Sequence, residues 1–229
     1  MPSAQYVELD QLPGVPDSGN LHSLLREIHA SNISYLNSVH GRGKVLFAEG
    51  ETARGVYMLR TGRATVSISS SEGRIVITRL VQAGDVLGLN SVLRSSPYDA
   101  TVKTLEPCRT EFIPRAQLIE LIEKSHAGAR AVLKILSHEL TELTERTRSL
   151  VLPQTASARL ARLLLEWSKK SVRIDRAFTH EEIAQMICSS RETVTRLLAN
   201  LSRRQIIQIT SDSILIGDEA ALDKIAQGS

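Results

Sequence analysis

Residues Thr179–Leu201 (THEEIAQMICSSRETVTRLLANL) read as two short helices around a turn, and this stretch limits the possible folds more than any other part of the chain. Thr179 followed three residues later by Glu182 is a capping box that opens the first helix. Ala184 is small where the two helices must cross. Cys188 sits where glycine would ease the turn, and Ser189 and Ser190 both offer hydroxyls to cap the second helix, with Glu192 as box partner to Ser189. At about 100° per residue, Arg191, Glu192, Thr195 and Arg196 fall within an arc of about 140°, while Val194, Leu197, Leu198 and Leu201 fill the other side. Such a helix suits the DNA major groove. An arginine can bond bidentately to guanine O6 and N7, and a carboxylate can accept from cytosine N4.

The charge distribution agrees with that reading. The 229-residue chain carries a net charge of only +3, yet residues 153–216 hold ten Lys or Arg against six Asp or Glu. Cys108 and Cys188 lie eighty residues apart, with no CxxC or disulfide framework, so two reduced thiols and no metal site are expected. A thiol at Cys188 would lie beneath the second helix, where oxidation would loosen its seat. No apolar run approaches the roughly 18 residues of a membrane span, and no basic-then-apolar signal-peptide pattern is seen, so a cytoplasmic protein without membrane contact is expected. No nucleophile–base pair, P-loop, HExxH or Gly-rich cofactor loop stands in a suitable context, so no catalytic residue and no enzyme are expected.

Three further segments precede this one. Residues 1–20 contain Pro2, Pro13, Gly14, Pro16 and Gly19 without a period and read as a loose arm, followed by an amphipathic helix over Leu21–Leu36. From Gly43 to Pro114, short β-branched runs (Val45–Phe47, Val56–Leu59, Ala64–Ile68, Ile75–Ile77, Ala100–Val102) are punctuated by Gly50, Gly62, Gly73 and Gly84. That spacing predicts a β-sandwich or jelly-roll barrel rather than a parallel sheet. A short helix around Leu118, Ile119 and Ile122 leads into a long one over Ser125–Leu152. There Leu133, Leu136, Leu140, Leu143, Thr147 and Leu150 alternate three and four apart, a heptad seam with charged flanks that predicts pairing with a second copy. Pro153 ends this helix and sets a hinge at Leu152–Thr155. A helix over Ala156–Lys170, a strand over Val172–Phe178, the two-helix unit and a hairpin (Ile206–Ile209, Ile214–Ile216) complete a winged helix-turn-helix, with a mildly acidic tail after Gly217. The expected divisions are an arm at 1–20, a sensor domain at 21–124, a dimerisation helix at 125–152 and a reader domain at 153–229.

With these elements in this order, the chain resembles the Crp/Fnr superfamily of bacterial transcription regulators (cyclic-AMP receptor protein / fumarate-nitrate reduction regulator). Ser190-Arg191-Glu192-Thr193-Val194-Thr195-Arg196 is similar to the family's recognition-helix motif, and Gly43–Gly62 is similar to its cyclic-nucleotide-binding-type β-roll. The resemblance implies an α+β fold: an N-terminal β-roll (jelly-roll) barrel, a long dimerisation helix and a C-terminal winged helix-turn-helix. It implies base reading by Arg191, Glu192 and Arg196, and phosphate contact by Thr179 and Ser190, where helix N-termini also favour anions. A homodimer reading palindromic double-stranded DNA with TGTGA-like half-sites follows. RNA polymerase is a further protein partner of such regulators, though no motif identifies the surface.

The match breaks at the effector pocket. Gly88 aligns with the cyclic-AMP-binding relatives, but Leu89 stands where they use glutamate, and Tyr98 and Asp99 stand where they use arginine and serine. A carboxylate replacing a cation disfavours an anion, so cyclic AMP in the usual mode is not expected and the effector is unassigned. Thr144 aligns with a polar residue that touches the base in relatives. Four cysteines for an iron–sulfur centre are lacking, and His22, His29, His40, His126 and His138 stand in no recognisable haem site. Two other readings stay open: a ligand-independent regulator with a vestigial barrel, and a ligand-binding or protein-interaction module that reads no DNA.

Overall fold

A computed structural model describes residues 24, 27–28, 30–31, 33–151, 155–170, 174–175, 178–210 and 213–228. The arm at 1–20, Leu152 and Pro153 of the hinge, and much of the Val172–Phe178 strand lie outside the described residues.

Two antiparallel four-stranded sheets form the barrel. One runs β1 (Leu36–His40), β8 (Cys108–Pro114), β3 (Gly55–Thr61), β6 (Val86–Leu87). The other runs β2 (Val45–Phe47), β7 (Thr101–Thr104), β4 (Arg63–Ser69), β5 (Ile75–Gln82). Gly62 carries the chain from the first sheet to the second at φ 87°, and a Cβ there would fall 2.5 Å from the Pro107 carbonyl oxygen. No side chain fits that crossing, which is why glycine punctuates the run. Val56, Met58, Leu59 and Ile113 from one sheet meet Ala64, Val81 and Val102 from the other, all essentially fully buried.

The barrel differs from the sequence reading in three places. Leu24, Glu27, Ile28 and Ala30 are helical, with Leu24 and Ile28 buried, but the expected Leu21–Leu36 helix ends early: Leu36 already pairs with Phe112 in β1. Strand β8 has no alternating apolar pattern in the sequence, because the pattern is broken by Arg109 and by Glu111, which is buried beside Arg60 at 3.3 Å. A single-turn-and-a-half helix, α1 (Leu89–Arg94), begins at Gly88 where the effector segment was expected.

Helix α2 (Arg115–Lys124) leads through extended Ser125 into α3 (His126–Val151). Ala131, Val132 and Ile135 seat α3 on the barrel core. Leu136 leans on the same core and Leu150 is half-buried, so the six seam positions are not uniformly outward; Leu133, Leu140, Leu143 and Thr147 are. The reader comprises α4 (Ala156–Lys170), α5 (His180–Met186), α6 (Arg191–Arg203) and a sheet ordered β10 (Ile207–Ile209), β11 (Ser213–Ile216), β9 (Ile174–Asp175). The acidic tail folds instead as α7 (Glu219–Ala226). Asp218 caps it by accepting from the Ala221 N–H, and Leu222 and Ala226 are buried in the reader core.

Sensor and reader are not independent. Ile77 of β5 is only 3% exposed and belongs to the reader's core, alongside Met186 and Ile187, and Leu80 packs there too. One edge strand of the barrel therefore serves as a floor for the first helix of the helix-turn-helix.

Candidate nucleic-acid interface and effector pocket

The local chemistry of the two-helix unit is as its sequence dictates. Thr179 caps α5: its Oγ1 accepts from the Glu182 N–H at 3.2 Å, and the Glu182 carboxylate accepts from the Thr179 N–H at 2.7 Å. Such a cap contributes about 1 kcal/mol. Helix α5 ends in a Schellman turn, with the Ser189 N–H donating to the Ala184 carbonyl at 2.9 Å and Cys188 at φ 49°. Cys188 thus occupies the left-handed position that glycine usually takes, and its thiol is exposed rather than buried.

Ser190, not Ser189, caps α6, accepting from the Thr193 N–H at 3.2 Å. That corrects the expected box between Ser189 and Glu192. The Glu192 carboxyl is held below the usual carboxylate range by its own backbone N–H and the Ser190 hydroxyl, with Arg191 adding to the effect, so it is ionised at neutral pH.

Val194, Leu198 and Leu201 are buried, whereas Arg191, Glu192, Thr195 and Arg196 are all exposed on one face. Neither Arg191 nor Arg196 holds an ion pair among the described residues. Both guanidiniums are available to a ligand, and the capped N-termini of α5 and α6 add free N–H groups suited to phosphate.

Three positioning contacts had no signal in the sequence, because each joins residues far apart in the chain. His180 Nδ1 lies 2.8 Å from Thr195 Oγ1, pinning the reading face of α6 to the start of α5. Arg146 of α3 donates to the Met186 carbonyl at 2.5 Å, and Arg159 of α4 donates to the Ile187 carbonyl at 2.7 Å. Two guanidiniums thereby satisfy carbonyls left unpaired at the end of α5, where positive charge is favoured.

The five residues of the expected effector pocket divide. Gly88, Leu89 and Asp99 line a cleft between the second sheet, α3 and the reader. Tyr98 does not line it, which corrects the expectation. Its ring is 4% exposed, stacks on Phe47 at a centroid distance of 3.9 Å, and donates its hydroxyl to the Gly55 carbonyl at 2.6 Å. Burial pushes its pKa up to about 12, so it is a neutral donor at physiological pH. Gly88 is required beneath it: φ is 80° there, and a Cβ would lie 2.6 Å from the Tyr98 ring. Thr144 also falls outside the cleft; it is exposed and returns its hydroxyl to the Leu140 carbonyl.

Tyr98→Phe should therefore lower stability by about 1–2 kcal/mol, the cost of orphaning a buried carbonyl, while leaving duplex affinity unchanged. Thermal denaturation and DNA titration of the same preparation check this. A loss of effector response without a loss of stability would contradict it.

A jelly-roll sensor joined by a long helix to a winged helix-turn-helix defines a class of DNA-binding regulator. The domain family "Cyclic nucleotide-binding domain" matches residues 39–125 and "Crp-like helix-turn-helix domain" matches residues 158–225, together most of the chain. The chain belongs to the Crp/Fnr family of transcription regulators, whose members are not enzymes. It is 26% identical over 193 residues to a CRP-like cAMP-activated global transcriptional regulator of Mycobacterium tuberculosis, covering 81% of this chain and 86% of that one. It is 27% identical over 222 residues to the global nitrogen regulator of Synechococcus elongatus, covering 91% and 97%. In three dimensions it resembles FixK2 from Bradyrhizobium japonicum, with TM-score 0.73 at 21% identity over 84% of this chain and 98% of that one. Among the described residues no helix is long and apolar enough to cross a membrane.

Proposed function

We propose that this regulator is a cytoplasmic homodimer that binds palindromic TGTGA-like DNA sequence-selectively and responds to an effector other than cyclic AMP held in the family's usual mode. The observation that carries the DNA reading is the open face of α6, with Arg191, Glu192 and Arg196 exposed together above a buried apolar back. The homodimer rests on α3, where Leu133, Leu140 and Leu143 are 63%, 65% and 56% exposed in one stripe. A single chain has no reason to leave three leucines of one helix in water. The departure from cyclic AMP rests on Leu89 and Tyr98, both committed to the barrel core, and on Asp99, which would face an anion with a carboxylate.

The test is fluorescence anisotropy on a palindromic TGTGA duplex and a scrambled one, across salt, with and without cyclic AMP or cyclic di-GMP. Selective binding that needs neither nucleotide is expected, with affinity falling steeply as salt rises because phosphate contacts release counterions. Binding that appears only with cyclic AMP would overturn the effector reading. Equal affinity for both duplexes under all conditions would overturn the DNA reading.

A further inference from the structure

Four polar side chains stand exposed on the outer face of α6, and the DNA reading above uses three of them. Thr195 is the fourth, one turn beyond Arg191 and next to Arg196. Folding gives it little reason to be there. A β-branched residue loses rotamer freedom in a helix interior, and a hydroxyl turned back onto its own helix weakens that helix slightly. At an exposed position alanine would serve the fold better.

The hydroxyl of Thr195 is engaged twice by the protein itself. A hydroxyl carries one proton and two lone pairs. The proton goes to the Arg191 carbonyl, one turn back along α6, at 2.9 Å. The contact with His180 Nδ1 at 2.8 Å must then run the other way, with the ring nitrogen donating. His180 is therefore held with a proton on Nδ1. Its ring has little room to turn, since it borders a small apolar gap with Phe178, Ile183, Leu198 and Ile209, where α5, α6 and the wing meet. With Oγ1 drawn towards the Arg191 carbonyl and the imidazole, the hydroxyl has no proton left for a base. What exposed Thr195 offers the groove is its γ-methyl.

We infer that Thr195 is a further base-reading residue, packing its methyl on the C5-methyl of a thymine, and that His180 is the positioning residue that keeps it so turned. The inference rests on the reading of α6 as the helix that enters the major groove. Thymine is the base that carries a methyl group there, and the methyl of threonine is one of the apolar groups that meet it. A hydroxyl free to turn could donate or accept, and so would tolerate several bases. Bound at both Arg191 and His180, it cannot donate. His180 thus acts on specificity through Thr195, from a different helix.

Deoxyuridine lacks only the C5-methyl of thymidine, so replacing the thymines of a TGTGA palindrome one position at a time, on either strand, isolates the contact. At one position, replaced in both half-sites, the full-length protein should bind about fivefold to twentyfold more weakly by fluorescence anisotropy, the worth of one buried methyl per half-site. Thr195→Ser keeps the hydroxyl and removes the methyl, and should abolish that penalty without lowering the thermal midpoint. His180→Phe keeps a ring without a donor and should reduce the penalty at least threefold. His180→Asn, whose amide can donate from nearly the place of Nδ1, should restore it. Nitrogen NMR of the His180 ring at alkaline pH, without DNA, should show the proton on Nδ1. A duplex still bound selectively, with no thymine sensitive to the loss of its methyl, would overturn this inference alone, as would an undiminished penalty in Thr195→Ser. A proton on Nε2 only, or a penalty unmoved by His180→Phe, would overturn the role of His180. Equal affinity for the palindromic and scrambled duplexes would overturn the underlying reading and this inference with it.

Discussion

Arg196→Ala should collapse the preference for a TGTGA palindrome over a scrambled duplex. The residue is exposed on α6, pairs with no carboxylate among the described residues, and shares its face with Arg191 and Glu192. A bidentate arginine–guanine contact is worth about 1–3 kcal/mol of discrimination, and a dimer makes it twice, so about 2–6 kcal/mol should disappear. In affinity that is roughly 30-fold to 10⁴-fold on the specific duplex. Affinity for the scrambled duplex should fall far less, because phosphate contacts from the N-termini of α5 and α6 do not depend on this side chain.

The fold should survive the substitution, since Arg196 is exposed while Val194, Leu198 and Leu201, which seat the helix, are buried. Ser190→Ala makes the matched control. It removes the α6 cap and the hydroxyl expected to meet phosphate, and should weaken both duplexes alike. An Arg196→Ala protein that keeps the wild-type ratio between the two duplexes would remove this helix from base recognition.

How far such a site can be read from sequence depends on the range of the contacts that make it. The capping box of Thr179 and Glu182 spans three residues, and the amphipathic division of α6 is periodic, so both are legible and both stand in the structure. The same holds for α4, expected over Ala156–Lys170 and found there, and for α3, whose described span of His126–Val151 falls within the expected one. Strand β8 is not legible locally, because its buried Glu111 depends on Arg60, a partner 51 positions away.

Helix α7 is a different case. Asp218 and the spacing of Leu222, Ile225 and Ala226 are helix signals, but this segment enters the sequence reading only by its mild acidity. Tyr98 illustrates the limit most directly. A mismatch in its type is visible in sequence, whereas its burial against Phe47 and its bond to Gly55, 43 residues away, are not. The contacts of Arg146 and Arg159 with the end of α5 belong to the same class.

These long-range contacts place sensor and reader in one mechanical chain. Arg79 on β5 ties the barrel to Glu139 and Glu142 of α3, and one turn further along α3 Arg146 holds the last carbonyl of α5. Ile77, on the same strand as Arg79, is buried under that helix. A displacement of β5 relative to α3 would therefore reach the helix-turn-helix through both an apolar floor and a guanidinium. The Glu139 carboxyl is pushed above its ordinary pKa by burial, opposed by Arg79, so the link lies in a partly desolvated setting where its geometry matters more than at an open surface.

Leu140→Glu should separate the protomers while leaving each one folded. Leu140 is 65% exposed in the single chain and sits between Leu133 and Leu143 on the outward stripe of α3, so its side chain supports little of the protomer's own core. In a symmetric pair the substitution is made twice. Burying one leucine contributes about 1.5–3 kcal/mol, so removing two costs about 3–6 kcal/mol before the repulsion of the two introduced carboxylates. The dimer dissociation constant should rise by roughly 10²-fold to 10⁴-fold, read by sedimentation at micromolar concentration, with an unchanged thermal midpoint in the monomeric fraction. Palindrome binding should fall with it, because each half-site would then be held by one reader alone. A half-site duplex should be bound as well by the variant as by a wild-type monomer. If the variant remains dimeric, the exposed leucines of α3 do not form the seam. The alternative surface would then be the barrel edge, where Leu36 and Val39 of β1 are also open to solvent.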